Sequence, residues 1–220
     1  MSIKTVITDY EHYDNRADEI DLRKESKLAQ ETILDLKHTM KHNNYACLAA
    51  PHIGVDKRIL CINFKGDIRT FINPMMGEVK GLELSRENCP AIPGKQYIRP
   101  RHNEIHVMYQ TPLGKIESRK FKGMAAKVFQ YGIDILDGLL LSDVGLEIDD
   151  NWDKATQEER DEVINFYLES LDLQRKDVNS KIESDEETRR LKESIEFMES
   201  VQRGETTLEY IPETNNEQNK

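Results

Sequence analysis

No stretch of this chain is apolar for long enough to cross a bilayer, and the N-terminus, Met1-Ser-Ile-Lys-Thr-Val-Ile-Thr-Asp, has no hydrophobic core of the signal-peptide kind. Membrane residence and secretion are therefore not expected. Cysteine is scarce, with three residues, Cys47, Cys61 and Cys89. An odd number spread over separate segments does not form a disulfide framework, and it suits a reducing compartment or the interior of an assembled particle. Basic charge is also in deficit, with 31 Lys and Arg against 41 Asp and Glu, a net of −10. A general nucleic-acid binder needs a cationic footprint on phosphate, so nucleic acid is excluded as a partner class. No internal repeat is visible.

The 220 residues suit one domain with appendages better than two full domains. Charge divides them unevenly. Residues 147–220 hold 22 acidic and 10 basic residues, a net of −12, whereas residues 1–146 hold 19 and 21, a net of +2. A nearly neutral body with an acidic extension points to a segment that has its own partner or a solvating role.

Helical spacing of Ala29, Ile33, Leu36 and Met40 predicts a helix over 21–42, ended by Asn43-Asn44. Short apolar runs at 59–64, 69–72, 104–109 and 115–121 read as strands, with Thr111-Pro-Leu-Gly114 as the turn between the last two. A second helix is predicted over 123–137, burying Ala126, Phe129, Ile133 and Leu136. Beyond Leu146, Thr156-x-x-Glu159 is a capping box opening a helix over 156–178, with an apolar stripe of Val163, Tyr167 and Leu171. A further helix is expected over 187–203, with Leu191, Ile195, Met198 and Val201 on one face and Gly204 as its stop. Residues 205–220 are polar and without period. The expected class is α+β, organised as a core over 1–146, an acidic helical extension over 147–204 and a polar tail.

Three segments carry a resemblance. Tyr45-Ala-Cys-Leu-Ala-Ala-Pro-His-Ile-Gly54 is similar to the Gly-x-Gly-Leu-Ala-Ala-x-Gln of peptide deformylases. Phe71-Ile-Asn-Pro74, followed by Arg86-Glu-Asn-Cys-Pro-Ala-Ile-Pro-Gly94 and Ile98-Arg99, resembles that family's Asn-Pro turn, Glu-Gly-Cys-Leu-Ser loop and arginine-bearing strand. Phe129-Gln-Tyr-Gly-Ile-Asp-Ile-Leu-Asp-Gly138 stands where the family carries His-Glu-x-x-His, and the spacing from Cys89 to Tyr131 suits that from the family's cysteine ligand to its first histidine. The resemblance covers roughly residues 10 to 146. It implies a deformylase-like core with strands around a central helix.

The same resemblance implies that the chemistry has been removed. The family binds its metal through one Cys and two His, with Glu as general base. Here Tyr131 and Ile135 replace both histidines, Gly132 replaces the glutamate, and Cys89 alone remains. His52 stands at the glutamine that helps to hold the oxyanion. Pro90 follows Cys89 and has no N–H to donate. No metal, no cofactor and no catalytic residue are therefore expected, and Tyr131 and Ile135 are expected to fill the vacated space.

Two enzyme alternatives stay open at this point. Cys89 could act as nucleophile with His52 as base, or His52, Asp134, His102 and His106 could supply substitute metal ligands around Cys89. The favoured expectation is an inactive deformylase-like protein used as a structural or interaction component of a larger assembly, such as a phage particle. It would meet protein partners through residues 147–220 and reside in the cytoplasm or within that particle.

Overall fold

A computed structural model describes residues 2–182, with side-chain burial through residue 171. Residues 1–167 form one compact unit and residues 168–220 a second. The expected helix over 187–203 and the polar tail lie outside the described residues. The first unit runs past the expected boundary at residue 146, because the segment after it returns to the sheet.

Helix α1 spans Ser26–Asn43 and buries Ala29, Thr32, Ile33, Leu36, Thr39 and Met40. It starts five residues later than its apolar period suggests. Asp21 instead makes a turn: its carbonyl accepts from the N–H groups of Lys24 and Glu25, while its own N–H donates to the Glu25 carboxylate. Asn44 closes α1 in the left-handed conformation, its N–H returning to Met40 O.

The strands are β1 (Cys47–Ala49), β2 (Ile59–Phe64), β3 (Asp67–Cys89), β4 (Ile92–Gln110), β5 (Ile116–Lys122) and β6 (Leu146–Ile148). All pairings are antiparallel, in the order β1-β2-β3-β4-β5, with β6 also paired to β4. The Thr111 turn forms as predicted, with Gly114 N–H on Thr111 O. The expected strands at 69–72 and 104–109 are only the inner ends of β3 and β4. These two strands continue past a register shift at Ile72/Met75 as a long arm, paired from Met75–Met108 to Cys89–Ile92 with two further register shifts. Its sequence is rich in charge and glycine because much of the arm faces water, so no continuous apolar run marks it.

Helix α2 spans Met124–Leu136 and packs across the sheet, burying Ala126, Phe129, Tyr131, Ile133, Ile135 and Leu136. Phe129 lies 4.8 Å from Phe71 and 5.0 Å from Phe121, ring centre to ring centre, in a cluster that includes Phe64 and Tyr109. Each such ring contributes roughly 1.5–3 kcal/mol by leaving water. At the C-terminal end of α2, the Arg58 guanidinium donates to Leu136 O at 3.1 Å and to the Asp137 carboxylate at 2.6 Å. A cation there complements the helix dipole. A short helix, α3 (Leu141–Val144), leads to β6.

Helix α4 spans Gln157–Ile182. Its predicted capping box is present, with Thr156 and Glu159 exchanging side-chain-to-backbone bonds. Tyr167 is buried, its hydroxyl donating to Val144 O at 2.6 Å, whereas Val163, from the same predicted stripe, is exposed.

Candidate active site

Three elements bring the expected residues together. Helix α2 presents Tyr131, Gly132, Asp134 and Ile135, the turn from β3 into β4 presents Cys89, and a single 3-10 turn over Ala50–Ile53 presents His52. Pro51 fixes the start of that turn, and Gly54 ends it at φ 79°. An N-terminal strap seals His52 from above: Ile7 N–H donates to His52 O, and the Tyr13 ring packs edge-on at 5.9 Å.

His52, Tyr131 and Cys89 form one hydrogen-bonded row. Ala49 N–H donates to His52 Nδ1 at 3.0 Å, which places the imidazole proton on Nε2. That proton faces the Tyr131 oxygen at 3.0 Å, and the phenol proton is left for Cys89 Sγ, also at 3.0 Å. All three residues are buried. Burial lowers the His52 pKa to about 4 and pushes the Tyr131 phenol well above its usual value. Burial also raises the Cys89 thiol, against opposing hydrogen bonds from Tyr131 and the backbone of Ala91 and Ile92. At neutral pH the row is uncharged throughout.

This arrangement alters the Cys89/His52 dyad open from sequence. The Tyr131 hydroxyl stands between the two, and His52 Nδ1 already accepts from Ala49, so the imidazole has no lone pair directed at the thiol. Pro90 leaves the position after Cys89 without a donor.

Of the substitute metal ligands, His52 joins the row with Cys89 and the other three are engaged by other groups. Asp134 Oδ2 faces Arg101 at 2.6 Å and Arg99 at 3.2 Å. His102 is engaged through its backbone by Gln130, and His106 meets Ser118 on the far strands. Among the described residues no group of three His, Cys, Asp or Glu could hold a metal ion. Donor chemistry gives the same answer at the centre itself: one neutral thiol, one phenol and one histidine already bonded at both nitrogens do not fit a divalent ion. Ile135 and Gly132 offer no donor atom.

Sequence reading missed what occupies the place of the general base. A Cβ built on Gly132 would lie 2.4 Å from Leu60 Cδ1 and 3.1 Å from Cys47 Sγ. Leu60 is fully buried, and Cys47 stands where the resembling motif has its second glycine. The signal was therefore present at Cys47, as a side chain added where the motif has none. Also missed was a buried ion cluster: Arg101 donates to both Glu87 oxygens, at 2.8 and 2.7 Å, and to Asp134. Arg99 was the arginine picked out, and Arg101 is the more buried of the two.

A cavity of about 220 Å³ lies beside Tyr131, lined in part by Cys47, Ser85, Glu87 and Val128, and its lining includes none of His52, Cys89, Gly132 and Ile135. A more open cleft of about 760 Å³ lies on the other side of the β3–β4 turn, against Cys89, Pro90 and Ile92.

The family model for polypeptide deformylase matches residues 6–150. The peptide deformylase of Dictyoglomus turgidum is 34% identical over 115 residues, covering 52% of this chain and 75% of that protein. That of Pelotomaculum thermopropionicum is 36% identical over 106 residues, covering 48% and 68%. Among solved structures, peptide deformylase from Thermotoga maritima superposes with a TM-score of 0.62 at 27% identity, covering 65% of this chain and 97% of that one. A class I type b peptide deformylase from Acinetobacter baumannii, bound to Met-Ala-Ser, has a TM-score of 0.61 at 20% identity over 64% and 99%, a likeness of fold.

Proposed function

This chain belongs to the peptide deformylase family, and from the state of its centre we propose that it is a catalytically inactive member, serving as a structural or protein-interaction component of a larger assembly. The observation that carries this reading is the Tyr131 hydroxyl lying 3.0 Å from both Cys89 Sγ and His52 Nε2. The resemblance puts Tyr131, a neutral phenol, at the first metal-binding histidine, and Leu60 and Cys47 crowd Gly132, which the resemblance puts at the general base. Restoring either would require repacking the core.

Assembly is supported by the length and acidity of the region after the core. Residues 147–220 carry a net charge of −12 and include a helix of 26 residues. A virion, such as a phage particle, is one setting for a deformylase core retained as a rigid platform.

A formyl-methionyl peptide assay tests the proposal. Formate release is expected to be absent with added iron, nickel or zinc. Turnover abolished by Cys89→Ala would overturn it in favour of a divergent hydrolase.

One observation favours a second reading, capture of a peptide without turnover. The cavity beside Tyr131, at about 220 Å³, is smaller than the roughly 300 Å³ of an ordinary small-molecule pocket, yet has room for one unbranched apolar side chain. Titration with a methionyl peptide should then shift Tyr131 ring resonances; unchanged spectra at saturating peptide would dismiss this reading.

A further inference from the structure

Among the described residues of the first unit, the inward face of α4 is the one that carries Tyr167. Tyr167 turns inward and bonds Val144 O, and Asp153, just before the helix, pairs with Arg86 at 2.9 Å. The inward direction of Tyr167 fixes the rotation of the helix, so Phe166, about 100° away, must point out. Phe166 is 75% exposed and Val163, three residues earlier on the same face, is 42% exposed. A phenylalanine ring left in water on an ordered helix is an unspent anchor. Glu162 and Glu158 lie on the same ridge as Phe166, one and two turns before it, and both are exposed.

We propose that this face of α4 docks a cationic amphipathic helix of a partner protein. The apolar side of that helix would sit on Val163 and Phe166, and its lysines or arginines would face Glu158 and Glu162. Charge selects this occupant. A second copy of the chain would bring the same carboxylates to the contact and be repelled, and nucleic acid or an anionic membrane would be repelled in the same way. The partner must therefore be both basic and apolar, and a ridge one side chain wide suits helix-on-helix packing. The inference rests on the reading of this chain as an interaction component and names the residues that would do the work.

The test is a fluorescence-anisotropy titration of the full chain with a labelled helical peptide built only of leucine and lysine at amphipathic spacing. The wild type is expected to bind. Phe166→Ala should weaken binding by at least about tenfold, as loss of a central aromatic anchor does, and Leu113→Ala, which removes a still more exposed apolar side chain from the β4–β5 turn, should leave it unchanged. Glu158→Lys with Glu162→Lys should also weaken binding and flatten its salt dependence. Equal affinity for wild type and Phe166→Ala would overturn the proposal by reducing the contact to diffuse acidity, and failure of the wild type to bind would overturn it outright. Formate release assayed on the same preparation reports separately on the inactive centre.

Discussion

At the residue scale, the centre of this molecule is a problem of satisfied partners. Tyr131 serves two buried polar groups with one hydroxyl. Tyr131→Phe keeps the ring and strands both, so a loss of about 1–3 kcal/mol is expected in urea unfolding. Gly132 is the complementary case, where space is decisive. Gly132→Ala gains helix propensity but forces its Cβ against Leu60 and Cys47, and a net loss of about 1–3 kcal/mol is expected. In a Leu60→Ala background the same substitution should cost much less, and a double-mutant cycle without coupling would contradict the packing account. His52 sets a pH dependence. Its pKa is about 4 in the fold against 6.5 for the free side chain, so below 6.5 the unfolded chain takes up a proton that the folded chain refuses. Stability is thus fully present above pH 6.5 and declines as pH falls toward 4, by roughly 3 kcal/mol at about 1.4 kcal/mol per unit. Unfolding measured across pH 4–7 should show this slope in the wild type and lose it in His52→Gln.

At the scale of elements, the ion cluster ties α2 to the long arm. Arg101 on β4 bonds Glu87 on β3 and Asp134 on α2, and its side chain is 3% exposed. Burial raises the Asp134 carboxyl despite the two arginines beside it, so the pair depends on its geometry. Arg101→Met is expected to cost about 3–5 kcal/mol, because Glu87 loses its bidentate partner inside the protein. Arg101→Lys should recover little of that, since one ammonium cannot reproduce the fork to two carboxylates. Equal urea midpoints for wild type and Arg101→Lys would show that the fork is not needed. The elements most legible in the sequence were those with a clean period: β2 occupies the expected 59–64, and α2 differs by one residue at each end. The β3–β4 arm was not legible because its residues answer to water on one side and to the ion cluster on the other, and Arg101 and Glu87 lie 14 positions apart with no pattern joining them. The Tyr131 site was readable as a departure from a motif. The bridging of Tyr131 to His52 was not, since it needs the 79-residue separation closed by the fold.

At the scale of the whole molecule, a core that superposes on a solved peptide deformylase over 65% of this chain is held by two clusters that share no residue with the Cys89–Tyr131–His52 row, the rings around Phe71, Phe121 and Phe129 and the ions around Arg101. Charge asymmetry between residues 1–146 and 147–220 was visible in the sequence and gives the added region its character, while the inward turn of Tyr167, which decides which face of α4 is free, was not. The account's central claim is that Cys89, Tyr131 and His52 satisfy one another and leave no site for a divalent ion. The direct measurement is elemental analysis of the full chain purified without chelator and then dialysed against iron, nickel or zinc. The account predicts no stoichiometric metal in either sample. One equivalent of metal per chain, lost in Cys89→Ala, would contradict it.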